Sequence, residues 1–65
     1  MAKKVIFNNK VDGKVINLLV GNLGEYIYAL TKNVKEMNDA IRWCNFHNVG
    51  DVFECDKYRI ELTND

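Results

Sequence analysis

The stretch from Asn33 to Gly50 constrains this chain most. It has helical periodicity, yet it carries more large apolar residues than one helix face can hide. Val34, Met37, Ile41 and Cys44 recur at intervals of three and four, the period of a buried stripe. Trp43 and Phe46 do not belong to that stripe. At about 100° per residue, Trp43 falls off its centre and Phe46 lies nearly opposite, beside Lys35, Asp39 and Arg42 on what should be the wet side. Either another part of the chain covers these rings or they meet a partner. Asn33 is a good N-cap, and Glu36 three positions later makes something close to a capping box. The helix should end near His47 or Asn48, with Gly50 free to take the left-handed conformation common at a helix C-terminus.

The remainder reads as sheet. Lys4–Phe7 is β-branched and aromatic and begins a strand. Asp12-Gly13 is a hairpin signal, and Val15 to Val20 reads as the returning strand, apolar on both faces and therefore central. Gly21-Asn22-Leu23-Gly24 reads as a second turn. Glu25 to Thr31 then reads as a third strand, with Tyr26, Tyr28 and Leu30 alternating against Ile27 and Ala29. Near the C-terminus Phe53 and Cys55 alternate on odd positions but Tyr58, Ile60 and Leu62 on even ones. The phase break at Cys55-Asp56-Lys57 therefore predicts a tight hairpin or bulge. The expected fold is α+β. A small antiparallel sheet of four or five strands, in the order β-β-β-α-β-β, packs against a single helix in one domain, residues 1–65.

A chain of 65 residues has a small core, and 48% apolar content is hard to hide at that size. A symmetric homodimer, joined through an exposed strand or the Trp43 surface, would relieve this. Formal charge is zero but uneven. Residues 1 to 14 carry Lys3, Lys4, Lys10 and Lys14 against Asp12, a net +3, and residues 51 to 65 carry a net −3. Pairing of the two ends across strands or subunits is the simplest use of that asymmetry.

Several chemistries find no support. No stretch approaches the roughly 18 apolar residues that span a bilayer, and Met1-Ala2-Lys3-Lys4 leads into too short an apolar run for a signal peptide. Two cysteines without such a signal read as reduced thiols of a cytoplasmic protein. Cys44, His47 and Cys55 fall short of the four ligands of a structural zinc, so neither metal nor cofactor is expected. Cys44 with His47 makes a poor nucleophile and base, because the stripe that buries a thiol raises its pKa. The chain also has no serine. No enzyme is expected.

Function then reads as a non-enzymatic binding module whose partner is another protein. The expected contact surface is Trp43, Phe46, Arg42 and Asp39, since Trp and Arg are favoured in binding hot spots. Abundant Asn and Lys, with no serine, proline or glutamine, match an AT-rich genome. That bias suggests a phage or prophage inhibitor or modulator of a host defence or replication factor. Two alternatives remain open. One is nucleic-acid binding through Lys3, Lys4, Lys10 and Lys14 with Tyr26 and Tyr28, which zero net charge disfavours. The other is a purely structural homo-oligomer.

Overall fold

Two strands able to bury every second residue organise the molecule. In the computed structural model, which describes residues 3–64, these are β1 (Lys4–Asn9) and β4 (Tyr58–Thr63), paired antiparallel at the centre of a four-stranded sheet. Val5 and Phe7 on β1 face the same side as Tyr58, Ile60 and Leu62 on β4, and all five are buried. The register sets Val5 opposite Leu62 and Phe7 opposite Ile60. Met1 and Ala2, read above as the start of a non-signal N-terminus, lie outside the described residues. So does Asp65 of the acidic C-terminal block.

The element order is β1, β2 (Val15–Leu19), α1 (Val20–Thr31), α2 (Val34–Phe46), β3 (Val52–Glu54), β4, and the sheet order is β2-β1-β4-β3. The class is α+β, as expected, but the details differ. The chain has two helices rather than one among its described residues, and four strands in the order β-β-α-α-β-β.

The expected third strand is helix α1. Its Tyr26, Tyr28 and Leu30 alternate as a strand would, but Leu23 and Ile27 also stand one helical turn apart, and both are fully buried. Burial decides between the two periods. Gly24 is buried with them, because α2 crosses close above it: a Cβ there would sit 2.9 Å from Ile41 Cδ1 and 3.3 Å from Met37 Cγ. Gly21 and Gly24 thus belong to a helix and not to a hairpin. The start of α1 has little signature in the sequence, since Leu19 stands at its N-cap without a side-chain hydrogen bond and no acid occupies its first turn. Lys32 closes α1 in the left-handed conformation at φ 54°, donating its N–H to the Tyr28 carbonyl at 2.8 Å.

Helix α2 follows immediately, and its N-cap is as expected: the Asn33 side chain accepts from the Glu36 N–H at 3.1 Å, although the Asn33 N–H donates to Thr31 Oγ1 at 3.2 Å and not to Glu36, so the capping box is only half made. Its buried residues are Ala40 and Cys44, with Met37 and Ile41 half-buried and Val34 exposed. The C-cap His47 is extended, so Gly50 at φ 97° serves the following turn instead of the helix end. That turn closes through Asp51 N–H to the Asn48 carbonyl and Gly50 N–H to the Leu62 carbonyl.

Strand β2 is an edge and not a central strand. Only its Ile16 and Leu18 face the helices, while Val15, Asn17 and Leu19 are exposed on the other side. The β1–β2 hairpin forms around Gly13 at φ 79° but is longer than a two-residue turn. Asn9 organises it, its side chain accepting from the Val11 and Asp12 N–H groups. The phase break at 55–57 is the β3–β4 hairpin, closed by Cys55 N–H to the Tyr58 carbonyl at 2.9 Å. Both helices lie on one face of the sheet. The other face is open and carries Lys4, Ile6, Asn8, Arg59 and Glu61 between the edge strands.

Candidate functional site

Helix α2 has its core residues on one side, and the opposite side carries Lys35, Asp39, Arg42 and Phe46 at intervals of three and four. The side chains of Lys35 and Asp39 pair at 3.4 Å, a solvent-exposed contact worth a few tenths of a kcal/mol. Arg42 is exposed beyond them. At the end of the row Phe46 is 79% exposed, and Val49 just past the helix is exposed as well. Of the four residues expected to form a contact surface, Asp39, Arg42 and Phe46 therefore share one wet face.

Trp43 does not share it. Its ring stacks on His47 at 4.4 Å between centroids and meets Phe53 of β3 at 5.8 Å. It is half-buried and packs against the core. The chain after α2 returns over Trp43 and leaves Phe46 uncovered, so the two rings expected on one surface have different surroundings. The His47 ring is held in turn, Nδ1 donating to the Trp43 carbonyl at 2.8 Å.

The end of α2 is closed by a residue from a distant part of the sequence. The Lys3 ammonium donates to the Cys44 carbonyl at 3.0 Å and to the His47 carbonyl. Helix C-termini carry unpaired carbonyls and a partial negative charge, and a lysine there meets both needs. Lys10, at the far end of β1, pairs with Glu54 and donates to the Cys55 carbonyl at 2.8 Å. The hydrogen bond and charge of Lys10 hold the Glu54 carboxyl below the usual range. The basic N-terminal and acidic C-terminal segments do meet, through the β1–β4 pairing and this bridge.

These contacts disperse the residues of the nucleic-acid alternative. Lys3 and Lys10 are engaged at opposite ends of β1, and Lys4 projects from the open sheet face. Tyr26 and Tyr28, two residues apart on a helix, point in different directions. Tyr26 packs on Phe7 at 6.1 Å, whereas Tyr28 has the Lys32 ammonium 5.9 Å from its ring. Tyr26 and Lys14 do come together, in a concavity of about 240 Å³ lined also by Phe7, Asn9, Asp12 and Ile16.

Cys44 and Cys55 are both free thiols. Burial pushes the Cys44 thiol up to about 11, with the nearby Lys3 charge opposing weakly, and a thiol so protonated is a poor nucleophile. Burial likewise raises Tyr58, reinforced by Cys55 and Glu36. Among the described residues no three His, Cys, Asp or Glu side chains gather where a metal ion could sit, and no helix is long and apolar enough to cross a membrane.

No family model matches the chain, and no curated protein or solved structure matches it. Two features escaped the reading of the sequence. One is the clamp made by Lys3, for which the only signal is a lysine before a strand. The other is the free β2 edge, whose signal was the uncharged run Val15–Leu19.

Proposed function

We propose that this chain is a non-catalytic protein-binding module, and that its partner docks on the outer face of α2 with Phe46 as anchor, Arg42 beside it and Asp39 at the rim. The observation that supports this is the exposure of Phe46 after the core has been filled from other positions. A single exposed apolar residue is ordinary on a protein surface. Here, however, the ring lies in one row with an arginine and is followed by exposed Val49, a grouping typical of interface centres. Trp43 supports that row from beneath instead of contacting the partner.

The setting that fits the composition is the cytoplasm of a bacterial cell. There the module acts as a phage or prophage inhibitor or modulator of a host protein such as a defence or replication factor, and it works as a homodimer. A purely structural homo-oligomer is the second reading, favoured by the unguarded edge of β2. Nucleic-acid binding is disfavoured, since Lys3 and Lys10 would have to leave intramolecular partners to reach phosphates.

The test is quantitative affinity capture from lysate with the wild type, Phe46→Asp and Arg42→Glu, all checked for equal thermal stability. One protein held by the wild type and lost from both variants is the expected result. An identical set captured by all three, or oligonucleotide binding at low salt, would overturn it.

A further inference from the structure

The two edges of the sheet are protected very differently. β3 is only three residues long, ends in Glu54 bridged to Lys10, and leads into Asp56. Short length and charge are the usual devices that keep an edge from pairing with another chain. β2 has neither device, being Val-Ile-Asn-Leu-Leu without charge or proline.

The outward peptide groups of β2 follow from its pairing with β1. The hydrogen bonds Asn9 N–H to Lys14 carbonyl and Val20 N–H to Lys3 carbonyl bracket the ladder. Bonded and non-bonded pairs alternate in an antiparallel ladder, so Val5 with Leu18 and Phe7 with Ile16 are the bonded pairs between them. Val15, Asn17 and Leu19 therefore turn their peptide groups away from β1. Their side chains stand on the open sheet face, with Val15 57% and Leu19 44% exposed.

We infer that the β2 edge pairs antiparallel with β2 of a second copy of this chain, with the two Asn17 residues facing each other across the two-fold axis. This rests on the homodimer reading above and not on the α2 surface. In that register Asn17 exchanges both backbone hydrogen bonds with its counterpart. Each Leu19 N–H donates to the Val15 carbonyl of the other copy, and the Leu19 carbonyl stays with the first turn of α1. The side chains match as well: Val15 meets Leu19 on the open face, Ile16 meets Leu18 on the helix face, and the one polar residue meets itself. Moving the axis to Val15 or Leu19 shortens the overlap and loses these matches. Lys14 falls opposite Val20, so the two flanking lysines lie at opposite ends of the paired strands and do not repel. An isologous contact requires this kind of self-complementarity. The result is one continuous sheet built from two four-stranded sheets, with both α2 outer faces left free.

Sedimentation equilibrium of the full chain tests this, using the wild type, Asn17→Lys, Asn17→Asp and an equimolar mixture of the two variants. Asn17 is exposed and its side chain makes no core contact, so both variants should keep the wild-type circular dichroism and melting midpoint. The wild type should be a dimer. Each variant alone sets like charges face to face and should dimerise at least about tenfold more weakly. Mixing should restore a one-to-one heterodimer, because the introduced lysine of one chain would then face the introduced aspartate of the other. A wild type that stays monomeric overturns both this inference and the homodimer reading. A dimer that survives both variants, or that the mixture fails to restore, overturns the β2 register and leaves dimerisation elsewhere.

Discussion

The ammonium of Lys3 lies 3.0 Å from the carbonyl oxygen of Cys44, which joins the lead-in to β1 to the last turn of α2 across 41 residues of sequence. That contact, with its companion to His47, fixes the end of the helix that presents Phe46. Lys3→Met keeps the aliphatic stem but leaves the helix carbonyls without their cation. It should lower stability by about 1–2 kcal/mol and the melting midpoint by roughly 5–10 °C. Thermal denaturation checks this. An unchanged midpoint would mean that the clamp does not form in solution.

Trp43 and Phe46 should respond differently to truncation. Trp43 packs on His47 and Phe53, so Trp43→Ala should destabilise by about 2–3 kcal/mol, below the range for a fully buried ring. Phe46→Ala should stay within about 0.5 kcal/mol of wild type, as exposed substitutions do. Urea unfolding of the two variants measures both.

The two glycines of α1 make an opposite pair. A Cβ at Gly21 meets nothing within 4 Å, so Gly21→Ala should stabilise by about 0.5 kcal/mol through helix propensity. Gly24 faces Ile41 and Met37, and Gly24→Leu should destabilise by about 1–3 kcal/mol by forcing α1 from α2. Chemical denaturation should show the two shifts with opposite sign.

The thiols should react unequally and make stability fall in alkali. Cys44 is fully buried and held protonated, so a thiol reagent at mildly alkaline pH should modify half-buried Cys55 first. The folded thiol of Cys44 titrates at about 11 against an ordinary 9.0. Between those values the unfolded chain has released a proton that the folded chain keeps, so stability is full below about pH 9 and is lost as pH rises toward 11. The raised Tyr58 hydroxyl adds to the same trend. Melting curves across that range test the slope, and Cys44→Ala should reduce it.

Much of this fold was legible from local signals. Asn33 with Glu36 marks the start of α2, and the even-numbered alternation of Tyr58, Ile60 and Leu62 marks β4. Helix α1 was not legible, because its two glycines imitate turns, its tyrosines alternate, and no cap announces it. What settles α1 is tertiary: Gly24 lets α2 approach while Leu23 and Ile27 fill the core. For β2, apolar residues on both faces suggested a central strand, and the edge position leaves one of those faces in water. The candidate surface was legible in part. Helical spacing alone places Phe46 beside Arg42, but the ring of Trp43 is taken by Phe53, a residue that only the return of β3 brings near.

Site-specific photo-crosslinking in cells that naturally produce the chain would show whether a protein docks on the outer face of α2. A photoreactive phenylalanine analogue would replace Phe46, with the same analogue at exposed Asp56, in the hairpin at the opposite edge of the sheet from β2, as the control. A protein partner on that face predicts one adduct of defined mass from position 46 and none from position 56. No adduct from position 46 above the control would contradict the assignment of that face.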